Sequence, residues 1–305
     1  MTGRNKKPDI LIIGASGFIG SSLTKKLLSK GHKVRAIIGQ HGLRYLEGVR
    51  DSKLKVCPHK ELKNNYKKLG KFKFLFNLSG HVDIRESFRD PLKYETNKPA
   101  TTIKLIENLR TEKFINISTG SVYDFAYNPV SEKNPLSPAS PYAISQLSAD
   151  YYTEVLCNYH KIPYLILRLF NPYGPPNRKR GIIATIINGL LEGKAVTLYN
   201  PDRKFDFTFI DDMVEAMDFC AAKSEGIINI GCGRPVSLLE VYRKISFILY
   251  KEFRQPHLVR PDGHKEEVFS NSNKLKRSGF KFRYNIGDGL RKTIGYCKEF
   301  NQSKR

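Results

Sequence analysis

Short hydrophobic runs recur along the chain, and polar or amphipathic stretches separate most of them. Such runs are typical of strands in a parallel sheet, which is covered on both faces. The predicted strands cover residues 10–13, 33–38, 72–78, 113–118, 164–169, 196–199, 207–210 and 227–231. The predicted helices cover residues 21–30, 91–105, 142–160 and 182–192, and Asp211-Asp212 is predicted to cap another. This alternation through residue 231 predicts a doubly wound parallel α/β sheet, with a smaller mixed portion assembled after residue 171.

The first hydrophobic run ends in a glycine-rich turn, Gly14-Ala15-Ser16-Gly17-Phe18-Ile19-Gly20, before a predicted helix. A strand, a glycine turn and a helix in this order form the context of a dinucleotide site. Gly14 fits the tight turn, Gly17 lets backbone approach a pyrophosphate, and Gly20 lets the helix pack on the strand. The helix N-terminus supplies free N–H groups for the phosphates. A glycine-rich turn in another kind of α/β protein stays the alternative.

The end of the second predicted strand bears on the type of dinucleotide. An Asp or Glu about 20 residues beyond the glycine turn binds the adenosine ribose of NAD. The residues here are Ile38, Gly39 and Gln40, and none is acidic. NADP requires a cation, and Arg35 and Arg44 are near in sequence, although such arginines are usually just solvated. The cofactor is therefore predicted to be NAD or NADP, with the type left open.

The chain of 305 residues is strongly basic, with a formal net charge of +23. Residues 1–75 alone hold 18 Lys and Arg against 4 Asp and Glu. This excess favours an anionic partner, either nucleic acid or a nucleotide substrate with two phosphates. A lysine-rich proteome explains the charge about equally well, because no nucleic-acid motif accompanies it.

Other features narrow the class of protein. No apolar run approaches the ~20 residues of a membrane span, and the polar start lacks a secretory hydrophobic region, so a cytoplasmic location is expected. The cysteines are predicted to be core thiols in a reducing compartment, and no metal site is expected, because their spacing matches none. They are Cys57, Cys157, Cys220, Cys232 and Cys297.

A candidate proton-transfer pair flanks a loop rich in proline and serine, residues 135–141. Tyr142 opens a predicted helix, and the strand before the loop ends at Ser118-Thr119. The Thr119 hydroxyl would orient a substrate oxygen, and the Tyr142 phenolate would take its proton. Tyrosines at helix starts are usually packing residues, so this pair alone does not assign a reaction.

Further segments follow the glycine turn in a fixed order. They are Leu78-Ser79-Gly80-His81, Asp83-Ile84-Arg85-Glu86-Ser87, Asn97, Ser118-Thr119-Gly120-Ser121-Val122-Tyr123, Asn171-Pro172-Tyr173-Gly174-Pro175, Asp206-Phe207-Thr208 and Gly231-Cys232-Gly233. Together they resemble the extended short-chain dehydrogenases/reductases, and more narrowly the NAD-dependent nucleotide-sugar epimerase/dehydratase family. The resemblance implies a Rossmann-like NAD(P)-binding domain at residues 1–170, rejoined by about 205–231. It implies a substrate-binding portion at residues 171–204 and 232–305.

The resemblance also implies roles for particular residues. Catalysis is assigned to Tyr142, Thr119 and Gln146. Cofactor contacts are assigned to Gly14, Ser16, Gly17, Phe18, Ile19, Gly20, Leu78, Ser79, Gly80, Asn97, Ser118, Tyr142 and Gln146. A nucleotide-diphosphate sugar would be held by Asn171, Arg203, Lys204 and Arg260. Family members are often homodimers, here through the helices that follow Asp90 and Tyr142.

The chain departs from the family pattern at the catalytic helix. The family has Tyr-x-x-x-Lys, whereas position 146 is Gln146. The family's lysine binds the nicotinamide ribose and lowers the tyrosine pKa, and a glutamine keeps only the hydrogen bond. The pKa of Tyr142 would then stay near its reference of about 10 unless a nearby cation compensates. Replacing Gln146 with lysine is therefore expected to raise the rate near pH 7.

Two functions follow. The first is an NAD(P)-dependent nucleotide-sugar epimerase or 4-keto-sugar reductase in surface-polysaccharide biosynthesis, with Tyr142 as acid/base. Gly120-Ser121 replaces the family's acidic pair, which argues against 4,6-dehydration. The second is a catalytically impaired member of the same fold that binds a nucleotide or a polyanion, because Gln146 replaces the usual lysine.

Overall fold

The structure, a computed structural model, describes residues 9–40, 42–62, 66–124, 126–177, 181–260 and 269–302. The chain divides into two compact units. The first unit comprises Met1–Val122, Leu136–Arg168 and Val214–Ile228, and the second comprises Tyr123–Pro135, Leu169–Met213 and Asn229–Arg305. This division differs from the predicted boundaries chiefly because residues 123–135 group with the second unit. The assignment of cofactor binding to one part and substrate binding to the other stays a prediction.

Strands and helices alternate along most of the described chain. The strands are β1 (Asp9–Ile13), β2 (Val34–Ile38), β3 (Leu54–Pro58), β4 (Lys71–Asn77), β5 (Arg110–Thr119), β6 (Tyr164–Leu169), β7 (Pro172–Tyr173), β8 (Thr197–Tyr199), β9 (Lys204–Phe205), β10 (Thr208–Phe209), β11 (Gly226–Ile230), β12 (Val236–Ser237) and β13 (His257–Val259). The helices are α1 (Phe18–Ser29), α2 (His59–Leu62), α3 (Ile84–Arg89), α4 (Pro91–Glu95), α5 (Lys98–Asn108), α6 (Pro141–Tyr159), α7 (Ile182–Leu191), α8 (Ile210–Lys223), α9 (Leu238–Tyr250), α10 (Asn273–Arg277) and α11 (Ile286–Gln302).

A seven-stranded sheet has the order β11-β6-β5-β4-β1-β2-β3. The pairings of β1 with β2 and β4, of β2 with β3, and of β4 with β5 are parallel. The apolar side chains of β1, from Ile10 to Ile13, are at most 2% exposed, because the strand is covered on both faces. The predicted doubly wound, Rossmann-like sheet is confirmed.

The strand order reverses at β1, with β2 and β3 on one side and β4 and β5 on the other. In open α/β sheets, ligands bind outside the carboxyl ends of the strands at such a switch point. β1 ends directly before Gly14, and the N–H of Leu78, just after β4, donates to the Ile13 carbonyl at 3.0 Å. The glycine turn and the Leu78–Gly80 segment therefore meet at the switch point.

The predicted helix over residues 91–105 is wrong as a single element. The structure has α4 and α5 instead, with a break at Thr96 and Asn97. Pro99 lies in the first turn of α5, where a missing N–H is tolerated, whereas the interior of a longer helix would not accept it. The break places Asn97 and Lys98 at the start of a new helix.

Two other expectations from the pattern need correction. Asp211 and Asp212 do not cap α8 but lie in its first turn, because the helix already begins at Ile210. The Asp212 carboxylate accepts hydrogen bonds from the N–H groups of Arg283 and Tyr284. The stretch around residues 53–73 shows no clear apolar pattern, yet it contains β3, an edge strand of the sheet in which Cys57 is the buried side chain.

The second unit holds the predicted mixed portion. Its strands form three two-stranded sheets, β10-β7, β12-β9 and β13-β8, of which the β12-β9 pair is antiparallel. Tyr173 packs edge-on against Phe207 and Phe209, with ring centroids 6.0 and 5.5 Å apart. The buried Asp206 carboxylate accepts the N–H groups of Gly233 and Ser270 and so joins two loops of this unit.

Candidate active site

In the glycine turn, backbone atoms lie where the side chains of other residues would be. Gly14 has φ +80°, and a Cβ there would lie 2.5 Å from the Leu78 carbonyl oxygen. A Cβ on Gly20 would collide with the Gly14 carbonyl oxygen, so α1 packs directly on the turn. A Cβ on Gly17 would meet that same oxygen at 3.3 Å. These contacts fit the tight turn at Gly14 and the helix packing at Gly20, and the pyrophosphate approach at Gly17 stays a prediction.

The N-terminus of α1 lies at the end of this turn. Gly17 is its N-cap, and no side chain caps the helix there. Ser16 is buried, whereas Phe18 and Ile19 are partly exposed. The uncapped N–H groups and the positive end of the helix dipole fit the pyrophosphate of a dinucleotide. The predicted contacts of these residues with a cofactor stay predictions.

The segment after β4 forms the facing wall. The Ser79 N–H and hydroxyl both donate to the Asn77 carboxamide oxygen, at 3.2 and 2.5 Å. Gly80 has φ +134°, a conformation that side chains rarely adopt. Asn97 presents a buried Oδ1 for which the described residues supply no hydrogen-bond donor. A buried acceptor without a donor is uncommon, and it fits a group that a ligand completes.

Tyr142 and Thr119 are brought together, as the sequence predicts. α6 begins at Pro141, after the Ser140 hydroxyl accepts the Ala143 N–H as an N-cap. Tyr142 thus lies in the first turn, with its side chain near enough to Thr119, at the end of β5, to influence its ionisation. Burial raises the pKa of Tyr142, and Thr119 opposes that rise. The two side chains are placed for proton transfer, but the surroundings raise the pKa of Tyr142 instead of lowering it.

A buried carboxylate lies two turns along α6 from Tyr142. Asp150 is 2% exposed and accepts hydrogen bonds from Asn116 Nδ2 (2.9 Å), Ser118 Oγ (2.9 Å) and Arg168 Nε (3.2 Å). Burial raises the pKa of Asp150, while Arg168 and Ser118 hold it down. The Ser118 hydroxyl, predicted to contact the cofactor, is therefore engaged with Asp150.

Gln146 and Lys98 converge beside Gly80. A Cβ on Gly80 would lie 3.4 Å from Gln146 Nε2 and 3.5 Å from Lys98 Cδ. Both side chains are buried, and the Lys98 ammonium donates to the Asn77 carbonyl at 2.9 Å. Sequence reasoning missed Lys98 and Asp150. The available signals were a lysine directly after Asn97, and an aspartate eight residues after Tyr142 on the same helix face.

The predicted substrate residues all lie in the second unit. Arg203 is placed over the Phe205 ring, 5.0 Å from its centroid, and Arg260 Nε bonds Asp202 at 3.0 Å. The Arg203 N–H donates to Asn200, whose own N–H donates to Val259, so both arginines flank one turn. Lys204 is exposed on β9, and Asn171 has φ 30°. The structure brings Arg203 and Arg260 to one place, and their substrate role stays a prediction.

The two arginines considered for NADP are engaged elsewhere. Arg35 donates to the Leu69 carbonyl at 2.7 Å and lies over the Phe72 ring. Arg44 lies over the ring of Tyr45. The expectation that Arg35 is merely solvated is therefore wrong, because it joins β2 to the turn before β4.

The model of the NAD dependent epimerase/dehydratase family matches residues 10–231. The chain belongs to this family. The match includes the glycine turn, Tyr142 and the buried Asp150, so the resemblance drawn from the motifs is confirmed. As a member of this NAD-dependent family, the chain has a binding site for a nicotinamide dinucleotide, and the choice between NAD and NADP stays open.

Proteins across this family are similar to the chain over nearly its full length. It is 27% identical to the protein CapI of Staphylococcus aureus, over 95% of this chain and 98% of the relative. It is 27% identical to a UDP-glucose 4-epimerase of Mycolicibacterium smegmatis, over 96% and 99%. A UDP-glucuronic acid 4-epimerase of Bacillus cereus, solved with a fluorinated UDP-sugar and NAD, is 27% identical over 96% and 99%, with a TM-score of 0.88.

Metal centres and membrane spans are both absent from the described part of the chain. Its residues contain no group of three or more His, Cys, Asp or Glu side chains that could hold a metal ion. Nor do they contain a helix long and apolar enough to cross a membrane.

Proposed function

We propose that the chain is an NAD-dependent nucleotide-sugar epimerase or 4-keto-sugar reductase that uses Tyr142 as its acid/base. The observation that carries this proposal is the closeness of Tyr142 to Thr119, at the carboxyl end of β5 in the same unit as the glycine turn. Parallel strands place their carboxyl ends along one edge of the sheet. The dinucleotide cradle and the proton-transfer pair therefore share that edge.

The chain's residues divide the work of the reaction. When bound, the dinucleotide would supply the hydride chemistry: in an epimerase it would take a hydride from a sugar carbon and return it, and in a keto reductase its reduced form would donate one. The α1 N-terminus and Gly17 hold the pyrophosphate, and Gln146 donates to the nicotinamide ribose. Thr119 orients the sugar hydroxyl, and the Tyr142 phenolate takes its proton and gives it back.

The substrate we propose is a nucleoside-diphosphate sugar. Arg203 and Arg260 would face the two phosphates, with Lys204 beside them and Asn171 holding the nucleotide. Several similar proteins are described as UDP-sugar epimerases, which favours UDP as the nucleotide to test first. Gly120 and Ser121 offer no carboxyl group after Thr119, which favours epimerisation or keto reduction over loss of water.

The first test identifies the cofactor. The freshly purified protein is heat-denatured, and any released nucleotide is identified by mass spectrometry. Near-stoichiometric NAD(H) or NADP(H) is expected. UDP-, GDP-, CDP- and dTDP-sugars are then screened for epimerisation and keto reduction. The absence of released nucleotide, together with no binding of added NAD(H) or NADP(H), would overturn the proposed function.

Tyr142→Phe tests the acid/base. It removes one oxygen and keeps the ring, whose edge packs against Tyr94 at 6.5 Å between centroids. Turnover is expected to fall by ~10³-fold or more, while the cofactor is retained. Tyr127→Phe, at an exposed tyrosine, is the matched control and should leave turnover unchanged. Unchanged turnover in Tyr142→Phe would exclude Tyr142 as the base.

We also propose a homodimer. The exposed apolar side chains of α6 form one stripe, and α3 and α4, which pack beside α6, add more. The stripe comprises Ile144, Tyr151, Tyr152, Val155 and Tyr159, with Ile84, Phe88 and Leu92 from the neighbouring helices. An exposed apolar surface of this kind marks an interface. Of its three helices, α4 and α6 are those for which the family resemblance predicts a dimer contact, and α3 is additional.

Light scattering tests the dimer. Val155→Glu places a charge at the centre of the stripe, at a residue that is 63% exposed. It is expected to give a monomer, because burying an unpaired carboxylate opposes association. Tyr199→Glu, at a tyrosine that is 65% exposed outside the stripe, should leave the dimer intact. A Val155→Glu protein with the wild-type mass would refute this interface.

The remaining expectations stay predictions. These are a role in surface-polysaccharide biosynthesis, which the similarity to CapI favours, and a cytoplasmic location. The alternative is a catalytically impaired protein that binds a nucleotide or a polyanion. It rests on the glutamine at position 146, where the family has a lysine. The buried Lys98 weakens this alternative, because its side chain passes beside Gln146 and carries a titratable amine into the same region.

A further inference from the structure

Lys98 occupies a position that disfavours a lysine. It is the first residue of α5 and is 2% exposed. Burial disfavours the charged ammonium, and the N-terminus of a helix carries the positive end of its dipole. A residue that local physics opposes in two ways is typical of a functional site. The neighbours of Lys98 indicate which function that is.

Lys98 reaches the helix face that carries the catalytic tyrosine. Tyr142, Gln146 and Asp150 are spaced by four residues on α6 and therefore share one face. α5 packs against α6. The Gln146 amide and the Lys98 side chain approach the same point beside Gly80, within 3.4 and 3.5 Å of it. Asp150 is electrostatically coupled both to Lys98 and to Tyr142.

We propose that this chain divides the two tasks of the family's lysine between two residues. Gln146 makes the hydrogen bond to the ribose, and Lys98 supplies the positive charge that favours the Tyr142 phenolate. This inference rests on the proposed function, because it names the group that makes Tyr142 usable as a base. Lys98 acts through Tyr142 and is therefore a positioning residue.

The other charges on this face do not supply that field. Asp150 raises the pKa of Tyr142, and the Arg168 guanidinium is bonded to Asp150, which offsets its charge. The Lys98 ammonium donates to the neutral Asn77 carbonyl rather than to a carboxylate, and its charge also lowers the pKa of Asp150. The further titratable groups on adjoining elements are His81, Glu86 and Tyr94, which contact one another through the Tyr94 side chain.

The protonation of Lys98 is poised near neutral pH. Burial lowers the pKa of Lys98 to about 7, and Asp150 opposes this. The ammonium and amine forms are therefore both populated near pH 7. Formation of a phenolate at Tyr142 favours the ammonium, because opposite charges stabilise each other where little water screens them.

Exchanging the two side chains tests the proposal. Lys98→Gln keeps a donor for the Asn77 carbonyl and removes only the charge. The double variant Lys98→Gln/Gln146→Lys restores the charge at the family's position. The readout is the pKa of Tyr142 in protein without substrate, measured by ultraviolet difference titration against the same variant carrying Tyr142→Phe. Circular dichroism checks the fold, and Lys98→Met replaces Lys98→Gln if that variant does not fold.

Lys98→Gln is expected to raise the pKa of Tyr142, because the phenolate then lacks the ammonium that its own charge would retain, and the exchange variant is expected to lower it again. The pH profile of kcat/KM should shift equally, with an about tenfold lower value near pH 7 for Lys98→Gln. Lys104→Gln, at an exposed lysine on the same helix, should change neither. An unchanged Tyr142 pKa in folded Lys98→Gln would overturn the proposal, even if the protein epimerises sugars. A shifted pKa supports it, even if no nucleotide sugar is turned over.

Discussion

The two ends of the candidate site, both in the first unit, encode their function differently. At the phosphate end, Gly14, Gly17 and Gly20 work through backbone, and a Cβ at Gly14 or Gly20 would strike a carbonyl oxygen. At the proposed catalytic end, side chains would supply charge, and the chain departs from the family pattern at Gln146. A backbone approach is tied to its own sequence positions, whereas a charge can come from any residue that reaches the same point. This difference explains why one end keeps the motif and the other does not.

The largest expected effect comes from breaking the phosphate end. Gly20→Ala places a methyl group against the Gly14 carbonyl and 3.0 Å from Ala15 Cα, so α1 must move away from the turn. Dinucleotide affinity is expected to fall by ~100-fold, which is about 2.7 kcal/mol, because the pyrophosphate contacts depend on that packing. Isothermal titration calorimetry with NAD measures the change.

Gly295→Ala is the matched control for this prediction. Gly295 also lies within a helix, α11, but a Cβ there would meet nothing within 4 Å. This variant should gain up to about 1 kcal/mol of stability from helix propensity and should leave NAD affinity unchanged. Equal NAD affinity in Gly20→Ala and wild type would show that the turn does not hold the cofactor by close packing.

The phosphate end could be predicted from sequence, and the catalytic end only in part. The glycine turn works through local backbone, so its spacing and its strand and helix neighbours are visible in the chain. The Tyr142–Thr119 pair also follows from strand and helix ends. Lys98 and Gln146 are 48 residues apart in sequence, and they come close only because α5 packs on α6. The predicted single helix over residues 91–105 hid Lys98, because it gave no reason to place a helix start there.

The second prediction concerns the stability cost of a buried charge. Burial lowers the pKa of Lys98 to about 7 from 10.5. Between about pH 7 and 10.5 the unfolded chain binds a proton that the folded chain lacks, so the free energy of unfolding rises with pH across this window. Below pH 7 the full penalty is present, at most about 5 kcal/mol at 1.36 kcal/mol per pKa unit.

Lys98→Met should therefore stabilise the protein at low pH. Removing the lysine also leaves the Asn77 carbonyl without its donor, which costs about 1–3 kcal/mol. The net change in urea unfolding is expected to be a gain of about 2 kcal/mol at pH 6 and a loss of about 2 kcal/mol by pH 10, where only the cost of the lost hydrogen bond remains. Lys104→Met should stay within about 0.5 kcal/mol of wild type at both pH values. A gain for Lys98→Met that does not depend on pH would show that the pKa of Lys98 is the same in the folded and the unfolded chain.

The variant Gln146→Lys has the smallest expected effect, and it tests most directly whether Lys98 replaces the family's lysine. The family pattern alone predicts that Gln146→Lys raises the rate near pH 7. With Lys98 in place, the variant sets a second lysine side chain beside Gly80, while the nearby Asp150 is already bonded to Arg168. Like charges in a buried site oppose each other, so we expect no gain in rate and a loss of about 1 kcal/mol in stability at pH 6. Gln302→Lys, the same change at an exposed site on α11, should alter neither. The same Gln146→Lys change should increase the rate once Lys98 is glutamine, because a single charge then serves Tyr142.

A clear rate increase from Gln146→Lys in the otherwise wild-type chain would contradict the proposal. It would mean that no other cation replaces the family's lysine, so that the charge is missing from this site and is not supplied by Lys98.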